Sequence, residues 1–513
     1  MTPLPGSPPA AAPPSERALA LAARERFALL AIVLAGLLLR FARLGRFSIW
    51  LDEAASREFT LYGFAHAIVG EMNHPPLYRI VLYGATRVLG ESEWALRFPS
   101  ALFSTLAIFA VHRLAAVLRL KPGVRLLAAA IAATSPFEIL LAQEARHYPL
   151  LLLLTALHLA SFARLVGERE KAPVATWMAF ATTAFLGLHT FYLFALLLAG
   201  ELVAALRLGA PAPKRLLATF AALAVLYLPW TVEFLESVGP QQRDYIGSLA
   251  ARVPAWIFRT TVGNSLAIVN WPPPADPVAF ALSNLPAVLV FLLAVPGPLL
   301  LGAVALARDR GREARALVIV WATPPLALAL AYGLVPLFHE RYLSFLTPLF
   351  DIALAVGLFR LKSRLARVVS PLALAALVLA SLRNTYADGT DYGREQWREA
   401  AAIVAAGRRP GDVVALHKPY LDIAWKYYDR PAGGVPAPIR LPAGKGTLAD
   451  LPPEAAEALA GAKRAWLVLA HTWDTGDSWR REFERAFGEE RREVILPLSH
   501  GIRLHLFERR APR

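Results

Sequence analysis

Residues 27–56 read FALLAIVLAGLLLRFARLGRFSIWLDEAAS, and the apolar part of this stretch, 27–44, decides the fold. At about 1.5 Å per helical residue, a run of this length nearly crosses a bilayer core of about 30 Å. Ten further runs follow at 98–118, 124–142, 148–166, 173–188, 190–206, 216–236, 283–306, 316–337, 343–359 and 365–382. Working outward, the 513 residues are 56% hydrophobic and only 18% charged, with mean hydropathy +0.44. That excludes an ordinary soluble enzyme and a disordered chain. The expected fold class is an α-helical polytopic membrane protein of eleven spans with a small C-terminal α/β extracytoplasmic domain.

The chain carries 54 basic and 39 acidic side chains, a net charge of +15, and no cysteine. Disulfides, thiol nucleophiles, iron–sulfur clusters and cysteine-held zinc are therefore excluded. The basic residues collect at the ends of the apolar runs, so the excess is read as orientation within a membrane and not as nucleic-acid binding. The segment 76–89 (PLYRIVLYGATRVL) is short and amphipathic, with Arg79 and Arg87. If it lies on the membrane surface, the arginine-rich turns 113–125, 164–171, 207–215, 308–315 and 360–367 all face the cytoplasm. The first loop, 45–97, then faces outward, together with loop 237–282, the turns near 143–147, 189 and 337–342, and the tail.

This gives three expected regions. Residues 1–25 form a cytoplasmic, Pro/Ala-rich disordered tail and not a cleaved signal. Residues 26–382 form the membrane domain with outer loops 45–97 and 237–282. Residues 383–513 form a soluble extracytoplasmic domain, with predicted helices at 393–407, 454–461 and 478–487 and predicted strands at 412–417, 464–471, 493–498 and 502–508. It has no G-x-G-x-x-G and no P-loop.

The outward segments hold the chemistry. Asp52 and Glu53 open the first loop, flanked by Ile49, Trp50 and Leu51. A partly desolvated carboxylate there suits a general base. The bland alternative makes Asp52 an N-cap and Glu53 a first-turn acid of a helix over 53–69. Adjacent helical residues diverge by about 100°, so one of the pair faces a site. His74, ahead of Pro75 and Pro76, either starts a helix or binds an anion at its N-terminus. Arg97 stands at the outer end of a span, where it either snorkels to lipid headgroups or serves a site. Gln143, Glu144, Arg146, His147 and Tyr148 cluster at one outer turn, and His339, Glu340, Arg341 and Tyr342 at another. Polar clusters at membrane depth are costly and point to function. Arginine suits a phosphate, because it can hold two oxygens at once. H-E-x-x-H is absent.

Taken in order, Ile49–Glu53, His74–Leu77, Gly90–Ala101, Gln143–Tyr148 and Arg341–Tyr342 resemble the GT-C glycosyltransferases that use lipid-phosphate sugars. The resemblance is nearest to the branch of the protein O-mannosyltransferases and the lipid A aminoarabinose transferase, and it covers most of 25–360. The tail start, Gln396–Ala401, resembles the outer domain of many bacterial members. The resemblance implies a catalytic acid–base role for Asp52, with Glu53 beside it. It implies donor-phosphate or substrate contacts for His74, Arg97, Glu144, Arg146, Tyr148, Arg341 and Tyr342. Many bacterial members have lysine where His74 stands, so a phosphate contact there depends on protonation.

The implied activity moves a monosaccharide from a polyprenyl-phosphate donor to a glycan, lipid or protein acceptor outside the cytoplasm, with inversion, in a bacterial inner membrane. No cofactor is obligatory, a divalent metal is compatible, and the partners are membrane lipids and substrates but no nucleic acid. A lipid-linked glycan transporter or flippase would explain many spans, but it predicts inverted repeats and polar groups at the midplane, and neither is apparent. A polysaccharide polymerase or ligase shares the substrate class. A non-catalytic scaffold displaying the tail is a third alternative.

Overall fold

The computed structural model describes residues 16–69, 74–209, 212–237, 249–263, 278, 282, 285–333, 337–386, 395–429, 437–444, 446–471, 476–496 and 501–509. The expected disordered tail up to residue 15, most of loop 237–282 including Trp271, Asn73 and the start of the predicted helix 393–407 lie outside them.

Nine of the eleven apolar runs fall on one helix each, and the runs 124–142 and 283–306 fall on two helices apiece. In chain order the helices are α1 (Glu16–Phe41), α2 (Leu51–Leu61), α3 (Phe64–Val69), α4 (Leu77–Leu89), α5 (Glu93–Val117), α6 (Pro122–Thr134), α7 (Pro136–Ala142), α8 (Tyr148–Glu168), α9 (Val174–Leu188), α10 (Phe194–Leu208), α11 (Pro213–Ser237), α12 (Leu249–Val262), α13 (Leu285–Ala294), α14 (Pro296–Asp309), α15 (Gly311–Leu330), α16 (Thr347–Arg360) and α17 (Arg364–Tyr386). Among the described residues six candidate spans are long and apolar enough to cross a membrane, or seven if the α6–α7 pair, bent by 53°, counts as one. The count of eleven is not reached on that measure. α9 and α10 have 15 residues each and α16 has 14, while α1 carries Arg24, Glu25 and Arg26 before its apolar stretch. α11 leaves Leu217, Val225, Leu226 and Leu228 exposed, as a lipid-facing helix must.

The α6–α7 bend shows how a charge is tolerated inside the bundle. Pro136 has no N–H to give to the carbonyl of Ala132, four residues back. Arg40 of α1, fully buried, supplies the missing donors: its Nη2 donates to Ala132 O and its Nη1 to Ala133 O, both at 2.8 Å. Its Nε donates to Ser104 Oγ at 2.7 Å, and Glu138 lies 3.4 Å away. Close backbone approach joins α14 to α16. A Cβ at Gly302 would lie 1.7 Å from Ala353 O, and one at Gly357 would lie 1.7 Å from Pro298 O. Only glycine permits such contact between membrane helices.

The predicted helix 53–69 is two helices, α2 and α3, parted at Gly63 with φ +97°. α4 coincides with the amphipathic segment. α5 starts at Ser92, whose Oγ accepts the Ala95 N–H at 3.2 Å. It runs from Arg97 to Arg113, about 24 Å along one axis. The two ends of the bundle are thus distinct. Arg113, Arg119, Arg164, Glu168 and Glu313 line a cavity at one end, and the chemistry-bearing turns gather at the other.

The tail folds as α18 (Trp397–Gly407), β1 (Val413–His417), α19 (Asp422–Tyr428), β2 (Ile439–Arg440), α20 (Pro453–Gly461), β3 (Arg464–Leu469), α21 (Gly476–Phe487), β4 (Gly488–Leu496) and β5 (Ile502–Arg509). The sheet order is β2-β1-β3-β5-β4. β1 is parallel to β2 and β3, and β5 is antiparallel to β3 and β4. β1 and β3 are buried along their full length, as a sheet covered on both faces requires. The sequence reading missed α19 and the two-residue β2.

Candidate active site

α2 begins at Leu51, with Trp50 as N-cap, so Asp52 sits inside the first turn and does not cap the helix. The two neighbouring carboxylates part company there. Glu53 is fully buried. Its Oε1 accepts the Arg97 Nε–H at 2.7 Å and the Ala145 N–H at 2.8 Å. Its Oε2 accepts from Arg97 Nη2 at 2.7 Å and from the Trp50 N–H at 3.3 Å. Arg97 spends its remaining N–H groups on the carbonyls of Leu44 and Phe47 at 3.0 Å and of Ser48 at 2.9 Å. All five donors of its guanidinium are engaged and the side chain is fully buried. Glu53 and Arg97, both expected at the site, form a buried pair that pins the loop, with the Arg97 donors engaged within the protein.

Asp52 faces the other way. Its side chain is 40% exposed, and its Oδ2 lies 3.5 Å from Arg146 Nη2. Arg146 is anchored from several sides. Its Nη1 donates to Asp52 O and to Ser56 Oγ, each at 3.2 Å, and its Nη2 donates to His74 Nε2 at 3.3 Å. A guanidinium has no acceptor, so His74 Nε2 carries the lone pair and its proton sits on Nδ1. Burial, with Arg146 and Arg79 nearby, pushes the His74 imidazole down to about 3. His74 is thus neutral near pH 7. The contact that His74 makes at this place is with Arg146.

Glu144 is buried and paired with Arg341, Oε2 to Nη1 at 2.6 Å and Oε1 to Nη2 at 3.0 Å. The Arg341 guanidinium also lies 4.8 Å from the Trp50 ring centre, a cation–π contact. Asp52 is near enough to add to the field on Arg341. Tyr148 is buried beside His147, with ring centres 4.3 Å apart, and His147 stacks on Phe191 at 4.9 Å. Tyr342 lies against Phe191 and His339 at 5.9 and 5.4 Å. Behind this turn Glu340 pairs with Arg259. Burial alone would push Glu340 up, but the Arg259 guanidinium holds it at about 2. His339 is pushed down to about 4, chiefly by burial.

Asp52, Ser56, His74, Arg146 and Arg341 thus converge from α2, the start of α4 and two turns. Sequence reading did not single out Ser56, and although it marked Gln396–Ala401, which holds Arg398 and Glu399, it missed the bonds from the tail to the loop. No local signal could have shown the latter, since the partners lie more than 300 positions apart. Among the described residues the charged neighbours of Asp52 are the guanidinium groups of Arg146 and Arg341, which ligate no cation. Among the described residues the one group of three convergent His, Asp or Glu side chains is Glu490, Glu493 and His505, on the β4–β5 pair of the tail.

Residues 73–232 match the protein family described as dolichyl-phosphate-mannose-protein mannosyltransferase. No curated protein sequence matches the chain significantly. The crystal structure of ArnT from Cupriavidus metallidurans in the apo state aligns with a TM-score of 0.55 at 15% identity, covering 95% of this chain and 98% of that one. The Archaeoglobus fulgidus oligosaccharyltransferase in complex with Zn and sulfate aligns at 0.52 and 15% identity, covering 90% and 70%. The same organism's oligosaccharyltransferase AglB, in complex with an inhibitory peptide and a dolichol-phosphate, aligns at 0.50 and 13%, covering 89% and 71%. At such identities the likeness is one of fold, and that fold is GT-C. The chain is a multi-pass membrane protein of that fold.

Proposed function

From a GT-C fold and a mannosyltransferase-family match over 73–232 as premises, we propose that this chain is a glycosyltransferase taking its sugar from a polyprenyl-phosphate donor. The observation that carries the reading is the exposed Asp52 carboxylate 3.5 Å from Arg146, with Arg341 beside it. The acceptor hydroxyl attacks the anomeric carbon, and Asp52 takes its proton. The bond from that carbon to the phosphate oxygen breaks with its electron pair leaving on the phosphate, which Arg146 and Arg341 neutralise. Attack opposite to the leaving group inverts the centre. The sugar's positive charge in the transition state is comparable to that in glycosidases. An apolar cavity of about 350 Å³ among α6, α12, α16 and α17, lined by Ile131, Leu354, Leu374 and Val378, offers room of the kind a prenyl chain needs.

The reading places the site and the tail outside the cytoplasm in a bacterial inner membrane, with eleven helices crossing or entering it. The support is the arginines at the opposite end of α5 and α8. The acceptor is a glycan, lipid or protein hydroxyl. The test is transfer of radiolabelled sugar from a polyprenyl-phosphate monosaccharide by the purified protein in liposomes. Asp52→Asn is expected to lower transfer by about 10²–10⁴-fold while leaving donor binding intact. Undiminished transfer by Asp52→Asn would overturn the assignment.

A further inference from the structure

The N-terminus of α2 exposes N–H groups that need acceptors, and Trp50 at its N-cap offers none from its side chain. One acceptor arrives from the far end of the chain. Glu395, just before α18, is buried, and its Oε2 accepts the Leu51 N–H at 3.0 Å. The same oxygen accepts the Trp397 indole N–H. The other oxygen, Oε1, lies 2.7 Å from His471 Nε2, and Tyr420 OH lies 3.4 Å from His471 Nδ1. His471 follows β3 in the left-handed region, φ +56°. Tyr420 follows β1. A chain of contacts therefore runs from the carboxyl ends of β1 and β3, through Glu395, to the first turn of the helix that bears Asp52.

Neighbouring contacts lock the same loop. Tyr428 OH accepts the Ile49 N–H at 2.6 Å and donates to Glu93 at 3.1 Å. Arg398 donates to Arg46 O at 2.8 Å and to Phe47 O at 3.2 Å, and Ser48 donates to Glu399 at 2.8 Å. Together these contacts fix the loop backbone from Arg46 to Leu51, directly ahead of Asp52.

We propose that Glu395 is a positioning residue for sugar transfer: its carboxylate caps α2 from the tail domain, and His471 orients that carboxylate. The proposal rests on the reading of Asp52 as the base. The tail is then part of the catalytic apparatus and not a separate module. A misplacement of about 1 Å at a reacting group can cost about 10²-fold in rate, so a cap on the first turn has catalytic weight.

The experiment uses the full chain in nanodiscs, with hydrogen exchange of peptides covering 49–61 measured beside steady-state transfer. Glu395→Ala is expected to speed exchange in the first turn of α2. It is also expected to lower kcat by about tenfold or more, with donor KM unchanged. Glu395→Gln keeps one acceptor oxygen and is expected to restore slow exchange and most of kcat. His471→Ala is expected to fall between them. Exchange and kcat both unaltered in Glu395→Ala would overturn the proposal, as would Glu395→Gln being as impaired as Glu395→Ala. Exchange reports the cap without reference to transfer. Faster exchange in Glu395→Ala, alongside full activity in Asp52→Asn, would keep the cap and remove the base. Loss of transfer in Asp52→Asn, with no effect of Glu395→Ala, would keep the base and remove the cap.

Discussion

Glu53 grips Arg97 through two parallel hydrogen bonds of 2.7 Å, both side chains wholly buried, at the junction of loop 45–97 and α5. Five carbonyl or carboxylate oxygens surround that one guanidinium. Such a pair is a structural commitment, because removing either partner strands a charge away from water.

Arg97→Met or Glu53→Gln is accordingly expected to destabilise the protein by about 3–5 kcal/mol. The measurement is the yield and melting temperature of detergent-purified protein. A well-folded Arg97→Met variant with only a raised donor KM would instead place Arg97 at the phosphate.

Arg146 and Arg341 carry a different expectation. Lysine keeps the charge but loses the planar fork. Arg146→Lys or Arg341→Lys is expected to weaken donor use by about tenfold or more, as loss of a charge-assisted hydrogen bond would. The effect should appear in donor KM or in binding of the polyprenyl phosphate, with little change in melting temperature. Normal KM in both variants would leave the donor phosphate without its proposed contacts.

Acid sensitivity follows from two histidines at the site. His74 and His339 ordinarily titrate at 6.5, and burial first, then neighbouring arginines, lowers them to about 3 and about 4. A group whose folded pKa is depressed binds its proton more readily in the unfolded chain. Its contribution is therefore complete above 6.5 and declines as pH falls towards the folded values. Melting temperature should drop between about pH 6.5 and 4, and the double variant His74→Gln, His339→Gln should show a shallower drop. An equal slope in that variant would assign the sensitivity elsewhere.

The crossing of α14 and α16 leaves no space for side chains at Gly302 and Gly357. Gly302→Val should force the helices apart and cost folded yield, because backbone, not a movable side chain, occupies the place. Gly84, with nothing within 4 Å of a Cβ, is the control: Gly84→Ala should be neutral or mildly stabilising in the melting temperature.

Much of this was legible in the sequence for a physical reason. Membrane helices need long apolar runs and surface charge at their ends, so 98–118 and 365–382 declared themselves, as did the amphipathic 76–89. The tail strands announced themselves through buried β-branched and aromatic runs such as RAWLVL. Span length was less legible: α10 and α16 begin four residues into the runs 190–206 and 343–359, where turns occupy the first residues, and α9 fills its run with only 15 residues. Sequence order could not tell Asp52 from Glu53, since both are acidic and adjacent. Only the packing of α5 against the loop sends Glu53 to Arg97 and leaves Asp52 facing Arg146. The charge of His74 was equally undetermined, because desolvation and neighbouring guanidiniums arise only on folding. The cap on α2 from Glu395 links positions 344 apart, a distance at which no periodicity or motif operates. Apolar patterning wrote the architecture into the chain, and long-range hydrogen bonding and burial chose which of its charged groups are left to act.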